Sequence, residues 1–125
     1  GFASWADAQD RLGQLYLSAV SVHELEMGVR LLDHRGAVQK ARALGGWLRA
    51  LVRRHADVIL PVNAEVAEIS GELEARAVAN GFNSGASDAM IAGTAHRYGL
   101  VLVTRNVKHF EPFGIAVTGL EGLVV

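Results

Sequence analysis

The chain contains no cysteine. That excludes disulfides, a thiol nucleophile and cysteine-rich zinc sites. It fits a reducing compartment, and the expected location is the cytoplasm. Long apolar runs are missing as well. The longest fall well short of the roughly 20 residues that cross a bilayer, so no membrane segment is expected. The first residues, Gly1-Phe2-Ala3-Ser4-Trp5, lack the basic flank and apolar core of a signal peptide. Basic charge is not in excess either. Twelve Lys and Arg stand against 13 Asp and Glu, a net charge of −1, so no global field draws the chain onto nucleic acid. This weighs against tight non-specific DNA binding but not against a nuclease, in which an acidic metal cluster offsets basic residues elsewhere. Several catalytic signatures are absent too: His-Glu-x-x-His, the Gly-x-Ser-x-Gly elbow, a Walker A loop and Gly-x-Gly-x-x-Gly after a strand.

Half of the 125 residues are apolar and 20% are charged, and the mean hydropathy is positive. Such a composition describes a packed globular chain, expected as a single domain over residues 1–125. It has no repeat, low-complexity tract or linker. Residues 2–12 read as a short helix and Leu15–Val20 as a strand. Helical spacing begins at Ser21, with Val22, Leu25, Val29 and Leu32 on one face, and breaks at Asp33-His34-Arg35-Gly36. A second helix is expected from about Val38 to His55, with Val38, Ala41, Leu44, Leu48, Leu51 and Val52 as its apolar stripe. Asp57–Val62 reads as a short strand, and Asn63 as the N-cap of a helix ending near Asn80. A Gly/Ser/Asn loop at 81–87 precedes a helix from Asp88 to Tyr98, stopped by Gly99 at C′. A strand at Leu100–Thr104, a turn or helix at 107–110 and a strand near Ile115–Val117 follow. Strands alternating with helices predict an α/β fold, a three-layer α/β/α arrangement around a mainly parallel sheet.

Ligands in such sheets bind beyond the carboxyl ends of the strands. Three polar residues lie near such ends or at a helix start: Glu24, Asp88 and Asn106. If they converge in one cleft, their oxygen atoms suit Mg²⁺ or Mn²⁺. Each also has a structural explanation. Ser21-Val22-His23-Glu24 fits a capping box, with Glu24 reaching back to the cap. Asp88 in a first helical turn is favoured by the helix dipole, typically by about 0.3–1 kcal/mol. The preceding Asn83-Ser84-Gly85-Ala86-Ser87 already offers good caps, however. The helix behind Asp88 carries Ala89, Ala92, Gly93 and Ala95, as expected of one packed closely and buried, and a carboxylate there needs a partner. Asn106 is a candidate cap for the 107–110 turn, or a neutral ligand that orients water or a phosphate oxygen. Among the five histidines, His109 stands apart because it adjoins Arg105 and Lys108. It reads either as part of a solvated turn or as a phosphate contact. Trp47, Leu51 and Leu31-Leu32 are expected to be buried or to form a subunit interface.

Three segments together resemble the PIN-domain ribonucleases, specifically the VapC/FitB-like toxins of bacterial toxin–antitoxin pairs. They are Leu17-Ser18-Ala19-Val20-Ser21-Val22-His23-Glu24-Leu25-Glu26-Met27-Gly28, Ser87-Asp88-Ala89-Met90-Ile91-Ala92-Gly93-Thr94-Ala95 and Leu102-Val103-Thr104-Arg105-Asn106-Val107-Lys108-His109-Phe110. Their order and spacing agree with the family over about residues 5–118. The resemblance implies a PIN-like α/β/α domain and a Mg²⁺- or Mn²⁺-dependent endoribonuclease. Glu24 would be the second acid and Asp88 the third, both metal ligands. Asn106 would stand where many members carry a fourth acid, with Arg105 and Lys108 as phosphate contacts. It also implies an RNA substrate, a homodimer and a small cognate antitoxin. The family begins with a strand that supplies a first acid, and no matching segment stands in this sequence. The expectation is therefore a piece of a longer protein, nearly inactive alone. The competing readings are a degenerate PIN domain that only binds protein or RNA, and a different metal-dependent phosphoesterase.

Overall fold

A computed structural model describes residues 16–104 and 106–119. The helix expected at residues 2–12 lies outside that range. Tyr16–Pro61 form one compact unit, and the described residues from Val62 onward belong to a second.

In the first unit, strand β1 (Leu17–Ser18) pairs in parallel with β2 (Ile59–Leu60), Leu17 opposite Ile59 and Ser18 opposite Leu60. Helix α1 runs from Ala19 to His34, and α2 from Val38 to Arg54. The strand expected over Leu15–Val20 is therefore much shorter. The reason is local: the Ser18 hydroxyl accepts a hydrogen bond from the Val20 N–H at 3.1 Å, which caps α1 three residues before Ser21. A serine at either position satisfies a free N–H of the first turn. The strand expected over Asp57–Val62 is likewise reduced to two residues, because Ala56–Val58 coil into a single 3₁₀ turn.

The helix break expected at 33–36 is present. The Gly36 N–H donates to Asp33 O and the Ala37 N–H to Leu32 O, both at 3.0 Å, closing the end of α1 as a Schellman motif. Of the apolar stripe expected on α2, Ala41, Leu48 and Leu51 are buried, whereas Val38 and Leu44 are exposed. Leu25 and Leu31 on α1 are exposed too, and Trp47 is half-buried.

The second unit opens as the sequence predicts. Asn63 caps α3 (Ala64–Ala79), its Oδ1 accepting from the Val66 N–H at 3.0 Å. Val66, Ser70, Leu73 and Ala77, at spacings of three and four, form its buried face. Helix α4 (Ala86–Arg97) buries Ala89, Ile91, Ala92, Gly93, Thr94 and Ala95. Such small side chains allow close approach to α3. A Cβ at Gly93 would land on the Ser70 hydroxyl and 3.1 Å from Ser70 Cα. The far end of α4 is fastened to the start of α3 by an exposed ion pair, Arg97 Nε to Glu65 Oε1 at 2.6 Å. Gly99 stops the helix with φ +64°, a conformation that costs an L-residue but not glycine. The Leu100 N–H then reaches Ala95 O at 2.9 Å.

Strand β3 (Leu102–Thr104) pairs in parallel with β4 (Val117–Gly119). Both are shorter than, or shifted from, the strands expected at 100–104 and 115–117. Leu100 is spent on closing α4, and Gly114 ends a preceding 3₁₀ turn. Between them lie the one-turn helix α5 (Val107–Phe110) and the 3₁₀ turn Glu111–Phe113. Phe110 and Phe113 are both buried, with ring centroids 6.2 Å apart. Burial of an aromatic ring contributes roughly 1.5–3 kcal/mol, enough to seat so short a helix. No helix among the described residues is long and apolar enough to cross a membrane.

Candidate active site

Asp88 is the third residue of α4, whose N-cap is Gly85 with no side-chain cap bond. The caps expected from 83–87 are therefore not used, and Ala86 and Ser87 are already helical. Asp88 stands in a first turn whose N–H groups are free, where a negative charge is favoured. Its side chain is nonetheless only 18% exposed, and its Oδ2 lies 3.0 Å from Nε2 of His109, itself 51% exposed. Burial raises the Asp88 carboxyl above its ordinary range, and the charge of protonated His109 opposes part of that rise.

The expectation that Asp88 needs a partner is met, and the partner is His109. Neither a solvated turn nor a phosphate contact, the two uses that sequence suggests for His109, includes this pairing. The pair spans 21 positions in the chain, a separation that no spacing rule connects. Ordinary forces hold the imidazole in place. The Ser84 hydroxyl, in the loop before α4, donates to His109 O at 2.9 Å. The His109 N–H donates to Asn106 O at 3.0 Å. The buried ring of Phe110 anchors the next residue.

Asn106 occupies the N-cap position of α5, but its side chain makes no cap hydrogen bond. The cap explanation for its carboxamide is therefore set aside. Its backbone N–H donates to Thr104 Oγ1 at 3.0 Å. Lys108 is exposed on the same short helix. Arg105 lies outside the described residues. Glu24 is in the other compact unit, half-buried on α1. With the cap at Ser18, Glu24 is the sixth residue of its helix and the first turn holds no acid. The capping box expected from Ser21 and Glu24 is not formed.

Among the described residues no group of three or more His, Asp or Glu side chains is gathered that could hold a metal ion. The donors that sequence pattern singled out are all hard oxygen atoms: the carboxylates of Asp88 and Glu24 and the carboxamide of Asn106. That donor chemistry fits Mg²⁺ or Mn²⁺ rather than a softer metal.

The family model for the PIN domain matches residues 2–112. The chain belongs to the PIN domain family, and its alternation of helices with parallel strands is the α/β/α pattern of that fold. It is 33% identical over 116 residues to VapC ribonuclease Y4jK of Sinorhizobium fredii, covering 91% of this chain and 79% of that protein. It is also 33% identical over 115 residues to Toxin FitB of Neisseria gonorrhoeae, covering 91% and 80%. A crystal structure of FitAcB from Neisseria gonorrhoeae superposes with a TM-score of 0.79 at 32% identity, over 97% of this chain and 85% of that one.

Proposed function

We propose that this chain is a metal-dependent endoribonuclease and the toxin of a toxin–antitoxin pair. The observation that carries the reading is Asp88: a carboxylate largely removed from water, at the mouth of a helix packed on its small residues. Partial desolvation of a carboxylate is costly unless it serves a partner, and a group perturbed in this way is a functional-site candidate. Asp88 and Glu24 are the ligands for Mg²⁺ or Mn²⁺ in this reading. A divalent ion bound there supplies Lewis-acid activation of water and stabilises charge developing on a phosphate. Asn106, whose carboxamide is not spent on capping, orients water or a phosphate oxygen. Arg105 and Lys108 contact the RNA backbone by charge. The similarity to Toxin FitB and to the FitAcB structure supports a small cognate antitoxin as partner. A homodimer and action in the cytoplasm complete the reading.

The test is cleavage of a fluorophore–quencher RNA with Mg²⁺ or Mn²⁺ present or chelated, for the wild type, Glu24→Gln and Asp88→Asn. The expected result is divalent-dependent cleavage, slow for these 125 residues alone, that both substitutions abolish. Cleavage by Asp88→Asn at the wild-type rate would overturn the assignment. RNA binding without cleavage would favour the binding-module reading, and preference for a DNA substrate would favour another phosphoesterase.

A further inference from the structure

A carboxylate in an uncapped first turn has a competing use for its oxygens. The free N–H groups of its own helix donate to it readily. Asp88 is in that position, yet its Oδ2 is engaged by a ring from another helix at 3.0 Å. The ring is itself held. His109 is tied through its backbone carbonyl to Ser84 and through its N–H to Asn106. Phe110, next in the chain, is buried against Phe113. With the proton on Nε2, His109 donates to one of the roughly four lone-pair sites of the carboxylate. Among the described residues nothing else claims the remaining sites, those of Oδ1 included. A fixed donor behind a ligating carboxylate restricts its rotation and stabilises its ionised form, the form that binds a cation.

We propose that His109 is the positioning residue for Asp88, holding Oδ2 so that the rest of the carboxylate faces a divalent cation instead of folding back on the start of α4. This rests on the reading of Asp88 as a metal ligand.

The experiment is a titration of the full chain with Mn²⁺, free ion followed by electron paramagnetic resonance, for the wild type, His109→Ala, His109→Gln and Asp88→Asn. Thermal melts in EDTA accompany each. Loss of the orienting partner is expected to weaken Mn²⁺ binding about 10–100-fold in His109→Ala. His109→Gln, which keeps an N–H donor, is expected to recover most of that loss. A purely structural role would weaken binding only in step with the melting temperature and would show no such rescue. Three results overturn the proposal. If Asp88→Asn abolishes binding while His109→Ala binds as tightly as the wild type or tighter, His109 does not position Asp88 although the ligand reading stands. If His109→Gln is as weak as His109→Ala, the hydrogen bond is not the cause. If Asp88→Asn leaves binding unchanged, the ligand reading fails first. Should His109→Ala not fold, His109→Phe, which keeps a ring but has no N–H donor, takes its place: weakening comparable to that expected of His109→Ala supports the proposal, and wild-type binding overturns it.

Discussion

Replacing Gly93 by alanine adds one methyl group where α3 and α4 are closest. Two effects of opposite sign compete. Alanine is the better helix former by about 1 kcal/mol. Against that, the new Cβ falls on the Ser70 hydroxyl and 3.1 Å from Ser70 Cα and Cβ. The hydroxyl cannot simply swing away at no cost, because it donates to Val66 O at 2.7 Å in a buried position. Ser70 Cα is a backbone atom, so relief there requires the two helices to separate. Overpacking of this kind costs about 1–3 kcal/mol. The expected net effect is therefore a loss of about 0–2 kcal/mol, the clash outweighing the propensity gain.

Urea denaturation of the metal-free chain measures it, with Ser70→Ala and the double variant completing a mutant cycle. Removing the hydroxyl should relieve part of the clash, leaving the part that involves the Ser70 backbone. Because α4 carries Asp88 in its first turn, the same variants should also bind Mn²⁺ more weakly if the helix shifts. A Gly93→Ala protein more stable than wild type by about 1 kcal/mol, the bare propensity value, would refute the close-packing argument.

Two further outcomes concern a helix cap and the pH dependence of stability. Asn63→Ala removes the acceptor for the Val66 N–H and should destabilise the chain by about 0.5–2 kcal/mol in denaturant titration; no change would mean that the cap is idle. Asp88→Asn keeps an oxygen for His109 but removes a carboxyl whose folded value is raised, chiefly by burial. The folded state then holds that proton to higher pH than the unfolded state, so wild-type stability falls as pH rises from the ordinary carboxylate range through the raised value. In EDTA the variant should therefore gain nothing at acidic pH and its full advantage at neutral pH. An advantage that grows on acidification would contradict the desolvation account.

Local chemistry was readable in the sequence wherever one residue type answers one local need. Asn63 caps α3 because its short side chain reaches the free N–H three residues on. Gly99 ends α4 because the chain turns there with positive φ. The small residues from Ala89 to Ala95 announced a buried helix, and they are buried. Where two residues answer the same need, sequence does not choose. Ser18 and Ser21 are both competent caps. Selection of Ser18 lengthened α1, shortened β1 and removed the structural explanation for Glu24.

The α/β class, the order of the elements and the candidacy of Glu24, Asp88 and Asn106 thus belong to the sequence, because periodicity and capping act over a few residues. The company that Asp88 keeps comes instead from how the elements pack. His109 reaches it from 21 positions away because the buried Phe110 and the Ser84 hydrogen bond seat α5 beside the mouth of α4. Contacts of that kind depend on how separate elements pack, and no local pattern in the chain encodes them.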